Sequence, residues 1–141
     1  MRNTVLFSIF ILFLIACNKN KYTTEPQLKY KSVNKKKLNR GEDLVFTLGF
    51  TDAEGDLTGK LTYQEVAKNC PASNFIDSSF SIPPFPSGKD QAGDILVTLR
   101  YIDINPHCAP RNDTAIFKFV VKDKAGHKSD TAVSDQIIIF N

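Results

Sequence analysis

Apolar and polar residues alternate with a period of two along several stretches of the chain. Leu44, Phe46, Leu48 and Phe50 are interleaved with Val45, Thr47, Gly49 and Thr51, the pattern of a strand with one buried face. Ile95, Val97, Leu99 and Tyr101 repeat the period, and Phe117, Phe119 and Val121 repeat it opposite Lys118 and Lys122. Residues 61–66 alternate less cleanly around Tyr63, while residues 136–140 are apolar on both faces. A weaker strand near residues 28–33 and a short one near residues 80–82 bring the expected count to seven. No stretch carries the 3.6-residue period of a helix over a useful length. Seven short strands separated by turn residues in about 110 residues predict an all-β sandwich.

The N-terminus departs from this pattern. Arg2 precedes a twelve-residue run, residues 5–16, that is interrupted only by Ser8, as in the charged and apolar regions of a signal peptide. A spanning helix needs about 20 apolar residues, so the run is too short to be one. It ends in Leu14-Ile15-Ala16-Cys17, followed by the polar Asn18-Lys19-Asn20, and this junction resembles the bacterial lipobox. The resemblance implies cleavage before Cys17 and acylation of its thiol. Two or more acyl chains, at about 0.8 kcal/mol per buried methylene, make a stable membrane anchor. The expected organisation is a lipoprotein signal peptide over residues 1–16, a lipidated Cys17 and flexible tether over 17–27, and one sandwich over 28–141. Such a chain would sit in the bacterial cell envelope. The absence of an acidic run after Cys17 favours the periplasmic face of an outer membrane.

Charge divides the chain in two. Residues 18–40 carry eight basic side chains against the single acid Glu25, a net +7, and read as a basic linker. Residues 41–141 carry nine basic and fourteen acidic groups, a net −5. The overall +3 therefore hides a basic stalk and an acidic body. Cations near an anionic bilayer each contribute about 1 kcal/mol of attraction, although a merely solvated linker has the same composition. The basic run lacks interleaved aromatics, which argues against a nucleic-acid partner.

Two segments point to a family of folds. Phe50-Thr51-Asp52-Ala53-Glu54-Gly55-Asp56-Leu57 and Phe119-Val120-Val121-Lys122-Asp123-Lys124-Ala125-Gly126-His127-Lys128-Ser129 resemble the turn segments of bacterial immunoglobulin-like and cadherin-like modules. The first also resembles small Bacteroidetes lipoproteins of unknown function. The resemblance implies a single immunoglobulin-like β-sandwich and no particular activity. In that topology the turns over residues 51–60 and 122–130 share one end, and the connections holding Cys70 and Cys108 share the other. An oxidising compartment then favours a Cys70–Cys108 disulfide, with Cys17 left for lipid. The closed loop of nearly 40 residues would contribute roughly 4 kcal/mol. A zinc site at Cys70, His107 and Cys108 is the rival, but no C-x-x-C spacing supports it.

Candidate chemistry gathers at the other end. Asp52, Glu54 and Asp56 place three carboxylates in five residues, and like charges so close repel. A bound Ca²⁺ would offset them, with Asp123 as a further ligand from across the end. The spacing is not that of an EF-hand, and a solvated turn whose Asp and Gly serve the backbone is the competing reading. Phe75, Phe80 and Phe85 punctuate a proline-rich connection and read either as a contact patch for a partner or glycan, or as aromatics folded back on the sandwich. Asp113-Thr114-Ala115 and Asp130-Thr131-Ala132 resemble the O-glycosylation motif of Bacteroidetes, which implies modification at Thr114 and Thr131. No nucleophile elbow or phosphate-cradling loop is present, so a non-enzymatic role is expected. The leading expectation is a lipid-anchored module that binds or scaffolds an envelope protein. A glycan-binding lipoprotein and a Ca²⁺-stabilised adhesion-like module are the alternatives.

Overall fold

The computed structural model describes residues 21–57, 59–69, 78–84, 86, 88–104 and 111–141. Among them run strands β1 (Gln27–Val33), β2 (Lys37–Leu38), β3 (Asp43–Asp52), β4 (Lys60–Ala67) and β5 (Ser78–Ser81). Then follow β6 (Gln91–Arg100), a single helical turn α1 (Tyr101–Ile104), β7 (Asp113–Lys122), β8 (Ala132–Val133) and β9 (Ile137–Ile139). One sheet has the order β1-β3-β6, and the second has the order β2-β9-β7-β4-β5 with β8 also pairing β7. The pairs are antiparallel except β2 with β9, which is parallel. The chain is thus an all-β sandwich. No helix among the described residues is long and apolar enough to cross a membrane.

Period-two patterning explains why these strands form and what they bury. In β3, Leu44, Phe46, Leu48 and Phe50 all point inward and are buried. The facing layer is Leu61 and Tyr63 of β4 with Phe117, Phe119 and Val121 of β7. Phe46 sits at the seam, its ring centroid 5.1 Å from those of both Phe117 and Phe119, each tilted by more than 50°. Such tilted contacts suit the aromatic quadrupole and add to the gain from burial. Leu38, Ile137 and Ile139 close one flank of this core.

The seven expected strands are present with shifted bounds, since Tyr101 opens the helical turn instead of ending β6 and β5 stops at Ser81, before Ile82, and there are two additions and one extension. β2 and β8 are two-residue segments, too short to carry a period, and exist because a distant partner offers a ladder: Lys37 opposite Ile138, and Phe119 opposite Ala132. β6 begins four residues before Ile95. Gln91, Ala92, Gly93 and Asp94 have no strand pattern, but each is in register with β3, so backbone pairing holds a segment that burial does not. Much of the basic stalk belongs to the folded body as well. Lys29 and Lys31 lie on β1, and Lys31 pairs with Asp94, Lys35 with Glu42 at 2.9 Å and Lys36 with Asp135 at 3.0 Å. Exposed pairs of this kind contribute little stability, but they neutralise charge that reads in the sequence as free.

The two ends of the sandwich are each tied by a close approach. At one end the Lys68 amide donates to the Thr114 carbonyl at 2.8 Å, and the Asn69 amide to Asp113 at 3.2 Å. At the other, the β3–β4 turn packs so tightly on the end of β7 that a Cβ on Gly59 would stand 1.6 Å from the Lys122 carbonyl oxygen. Gly59→Ala is therefore expected to destabilise the protein by about 1–3 kcal/mol through forced backbone movement. Urea denaturation of the variant checks this, and an unchanged midpoint would contradict the packing.

Candidate functional site

The acidic end is built by two turns that the sandwich brings side by side. Asp52 is the last residue of β3 and is completely buried. Its Oδ2 accepts the Asp56 amide at 2.9 Å, an Asx-type bond that folds the turn back on itself. Gly55 makes the reversal with φ +71°, and a Cβ there would meet the Gly88 carbonyl oxygen. One carboxylate oxygen each from Asp52, Glu54 and Asp56 lies within 4.8 Å of the others. The turn is anchored on both sides, since the Ala53 amide donates to the Thr23 carbonyl at 3.2 Å and the Asp90 amide donates to the Ala53 carbonyl at 3.0 Å. Thr23 belongs to the segment that leads into β1, so this apex is where the chain joins the sandwich.

Asp123 comes to the same end but is already committed. Its Oδ1 accepts the Gly126 and His127 amides at 2.6 and 2.7 Å, and its Oδ2 lies 2.9 Å from His127 Nδ1. The β7–β8 turn thus closes around Asp123, as an Asx turn does. His127 is brought within ligand distance of Glu54 and Asp123. The hydrogen bond to Asp123, reinforced by the charges of Asp123, Glu54 and Asp56, holds its imidazole above the usual histidine range. His127 lies four residues after Asp123 within one turn, a spacing that could have marked the pair in the sequence.

Three buried acceptors at or beside this apex lack a hydrogen-bond partner among the described residues: Asp52 Oδ1, Asp56 Oδ1 and Gln91 Oε1. Gln91 carries no sequence signal. It arrives as the register partner of Asp52 across β3 and β6, on the same face, with its Cδ 3.2 Å from where a Gly55 Cβ would stand. Its amide nitrogen donates to the Pro86 carbonyl, which leaves the oxygen as the orphan.

A second feature lies on the side of the sandwich. Among the described residues β6 pairs only with β3 and β5 only with β4, so within the described fold two strand edges are unpaired next to each other. Between them runs a groove of about 460 Å³ lined chiefly by Leu61, Phe80, Ile82, Ile95, Leu96 and Val97. Leu96 is 66% exposed and Phe80 41% exposed. Phe80 stacks on Tyr63 with centroids 5.5 Å apart and planes 13° apart, so one ring face is covered by the sandwich. Of the expected aromatic patch, Phe80 is described, whereas Phe75 and Phe85 lie outside the described residues, as do Cys17, Cys70, His107 and Cys108. Thr131 is exposed ahead of β8, while Thr114 is half-buried within β7 between β4 and β9.

The interior holds a group that the sequence reading passed over. Glu65 occupies the inward-facing series of Leu61, Tyr63 and Ala67 on β4 and is buried. Neither of its carboxyl oxygens has a hydrogen-bond partner among the described residues. Burial, and then the nearby Asp113, push its pKa up to about 8, as expected for a carboxyl taken from water beside a like charge.

No protein-family model matches the chain, and no curated protein matches it. Among solved structures the chain is similar to Spo0M, a sporulation control protein from Bacillus subtilis, at 11% sequence identity and a TM-score of 0.47. The match covers 84% of this chain and 51% of that one, so the chain spans about half the length of the structure it resembles.

Proposed function

We propose that the protein is a lipid-anchored, non-enzymatic module of the bacterial cell envelope that docks an extended segment of an envelope protein along its open β5–β6 edge. The carrying observation is that edge: a ten-residue strand, β6, paired on one side only among the described residues, with Leu96 and Phe80 exposed over an apolar groove. A strand with unpaired amides and carbonyls is a template for another strand, and alternate side chains of the guest would enter the groove. The lipobox-like Leu14-Ile15-Ala16-Cys17 supports the anchor and, with the signal peptide, an outer-membrane lipoprotein at the periplasmic face. The hydrogen bonds of Lys68 and Asn69 with Thr114 and Asp113 bring the residues just before Cys70 beside residues five and six positions after Cys108, which supports the proposed Cys70–Cys108 disulfide.

A second reading rests on Phe80, whose stacked and part-exposed ring offers a flat apolar face suited to a sugar. The test is photo-crosslinking of the membrane-borne lipoprotein with a benzophenone side chain at Leu96. A discrete adduct with one envelope protein, lost in Ile95→Asp, is the expected result. A lone monomer with no adduct, alongside glycan-array binding that Phe80→Ala abolishes, would replace the docking role with the glycan one.

A further inference from the structure

We infer that the apex is a calcium site whose protein ligands are Asp52, Glu54, Asp56 and the side-chain carbonyl of Gln91. This goes beyond the docking role and uses none of the residues that line the groove. Crowded carboxylates alone are common in turns and prove nothing. The additional observation is what their oxygens do: Asp52 is completely buried, its Oδ2 is used by the Asp56 amide, and its Oδ1 has no donor among the described residues. Asp56 Oδ1 and Gln91 Oε1 are orphaned in the same way. An acceptor withdrawn from water without a donor is costly, and an ionised one more so. One carboxylate oxygen each of Asp52, Glu54 and Asp56 lies within 4.8 Å of the others, and Gln91 stands opposite Asp52 in the ladder, an all-oxygen set of the kind that surrounds a hard cation.

The donor chemistry selects the ion. All of the free ligand atoms are oxygens, which suit Ca²⁺ or Mg²⁺ rather than zinc. His127 Nδ1 is engaged with Asp123 at 2.9 Å, and the ring groups with Glu54 and Asp123 rather than with Asp52 and Asp56. Three carboxylates and an amide carbonyl, one of them on the exposed Glu54, leave room for water and a coordination number of 6–8, as Ca²⁺ prefers. Mg²⁺ demands a smaller and stricter octahedron. Asp123, an expected ligand, is left out of this set because its oxygens are turned to the neighbouring turn and it groups with Glu54 and His127 rather than with Asp52 and Asp56. Ala53 sits between two of the ligands and is bonded to Thr23 and Asp90, so an ion at this site also braces the junction between tether and sandwich.

The test is thermal unfolding of the lipoprotein in detergent with 10 mM CaCl₂ or with EGTA, together with backbone amide exchange. Binding in the 10⁻⁴ to 10⁻³ M range typical of extracellular modules is expected to raise Tm by about 5 °C or more and to slow exchange at Ala53 and Asp90. Asp56→Asn is expected to fold and to lose the calcium shift, Gln91→Ala to weaken it several-fold, and His127→Gln to leave it intact. Equal Tm in calcium and EGTA would overturn the site. A shift that survives Asp56→Asn but vanishes in His127→Gln would overturn this ligand set.

Discussion

Glu65→Met is expected to make the sandwich more stable than the natural protein by about 5 kcal/mol at pH 9, with the gap closing towards pH 5. The sign follows from the protonation states. In the unfolded chain the carboxyl ionises near 4.5, whereas in the folded chain burial and Asp113 hold it protonated up to about 8. Below pH 4.5 both states carry the proton and the stability is fully present. As pH rises from 4.5 to 8 the unfolded chain alone ionises, and stability falls by about 1.4 kcal/mol per pH unit until the folded group also ionises. The raised pKa of His127 acts in the same direction, so only the difference between natural protein and variant isolates Glu65. Urea denaturation at pH 5, 7 and 9 measures that difference. Parallel pH profiles for the two proteins would mean that Glu65 is hydrated or paired in solution. A loss of this size is a large part of the 5–15 kcal/mol typical of a domain.

Phe46→Ala is expected to destabilise the protein by about 3–5 kcal/mol, the range for deleting a fully buried aromatic ring. The ring is completely buried and bridges the sheets through Phe117 and Phe119. Its removal opens a cavity between two paired layers that cannot collapse without breaking ladders. The midpoint of denaturation should move with little change in slope, because the surface exposed on unfolding is nearly unaltered. A cost below about 1 kcal/mol would show that Phe46 is not the seam of the core.

Much of the architecture could be read from the chain because a strand with one wet face must alternate. Leu44 to Phe50 and Phe117 to Val121 announce both their conformation and their buried side. What escaped was pairing without burial: the opening residues of β6, which lie in the ladder of β3, and the two-residue strands β2 and β8. That part of the basic stretch of residues 18–40 lies in strands β1 and β2 is hidden for a related reason. Net charge is a sum over the chain, and it does not reveal that Lys31, Lys35 and Lys36 each meet an acid brought from elsewhere.

The apex divides along the same line. Asp52, Glu54 and Asp56 are neighbours in the chain, so their crowding is a property of the sequence, and so is the turn that Gly55 allows. Gln91 comes beside them only through register across two strands, and Asp123 is drawn into its own turn, where both of its oxygens are engaged. The alternation of β4 likewise placed Glu65 on the inner face, while its lack of a hydrogen-bond partner among the described residues is a fact of packing. Local periodicity and local charge follow from covalent order, and the sequence by itself determined them. Which acceptors find donors depends on residues up to a hundred positions apart, and that only the tertiary structure decided.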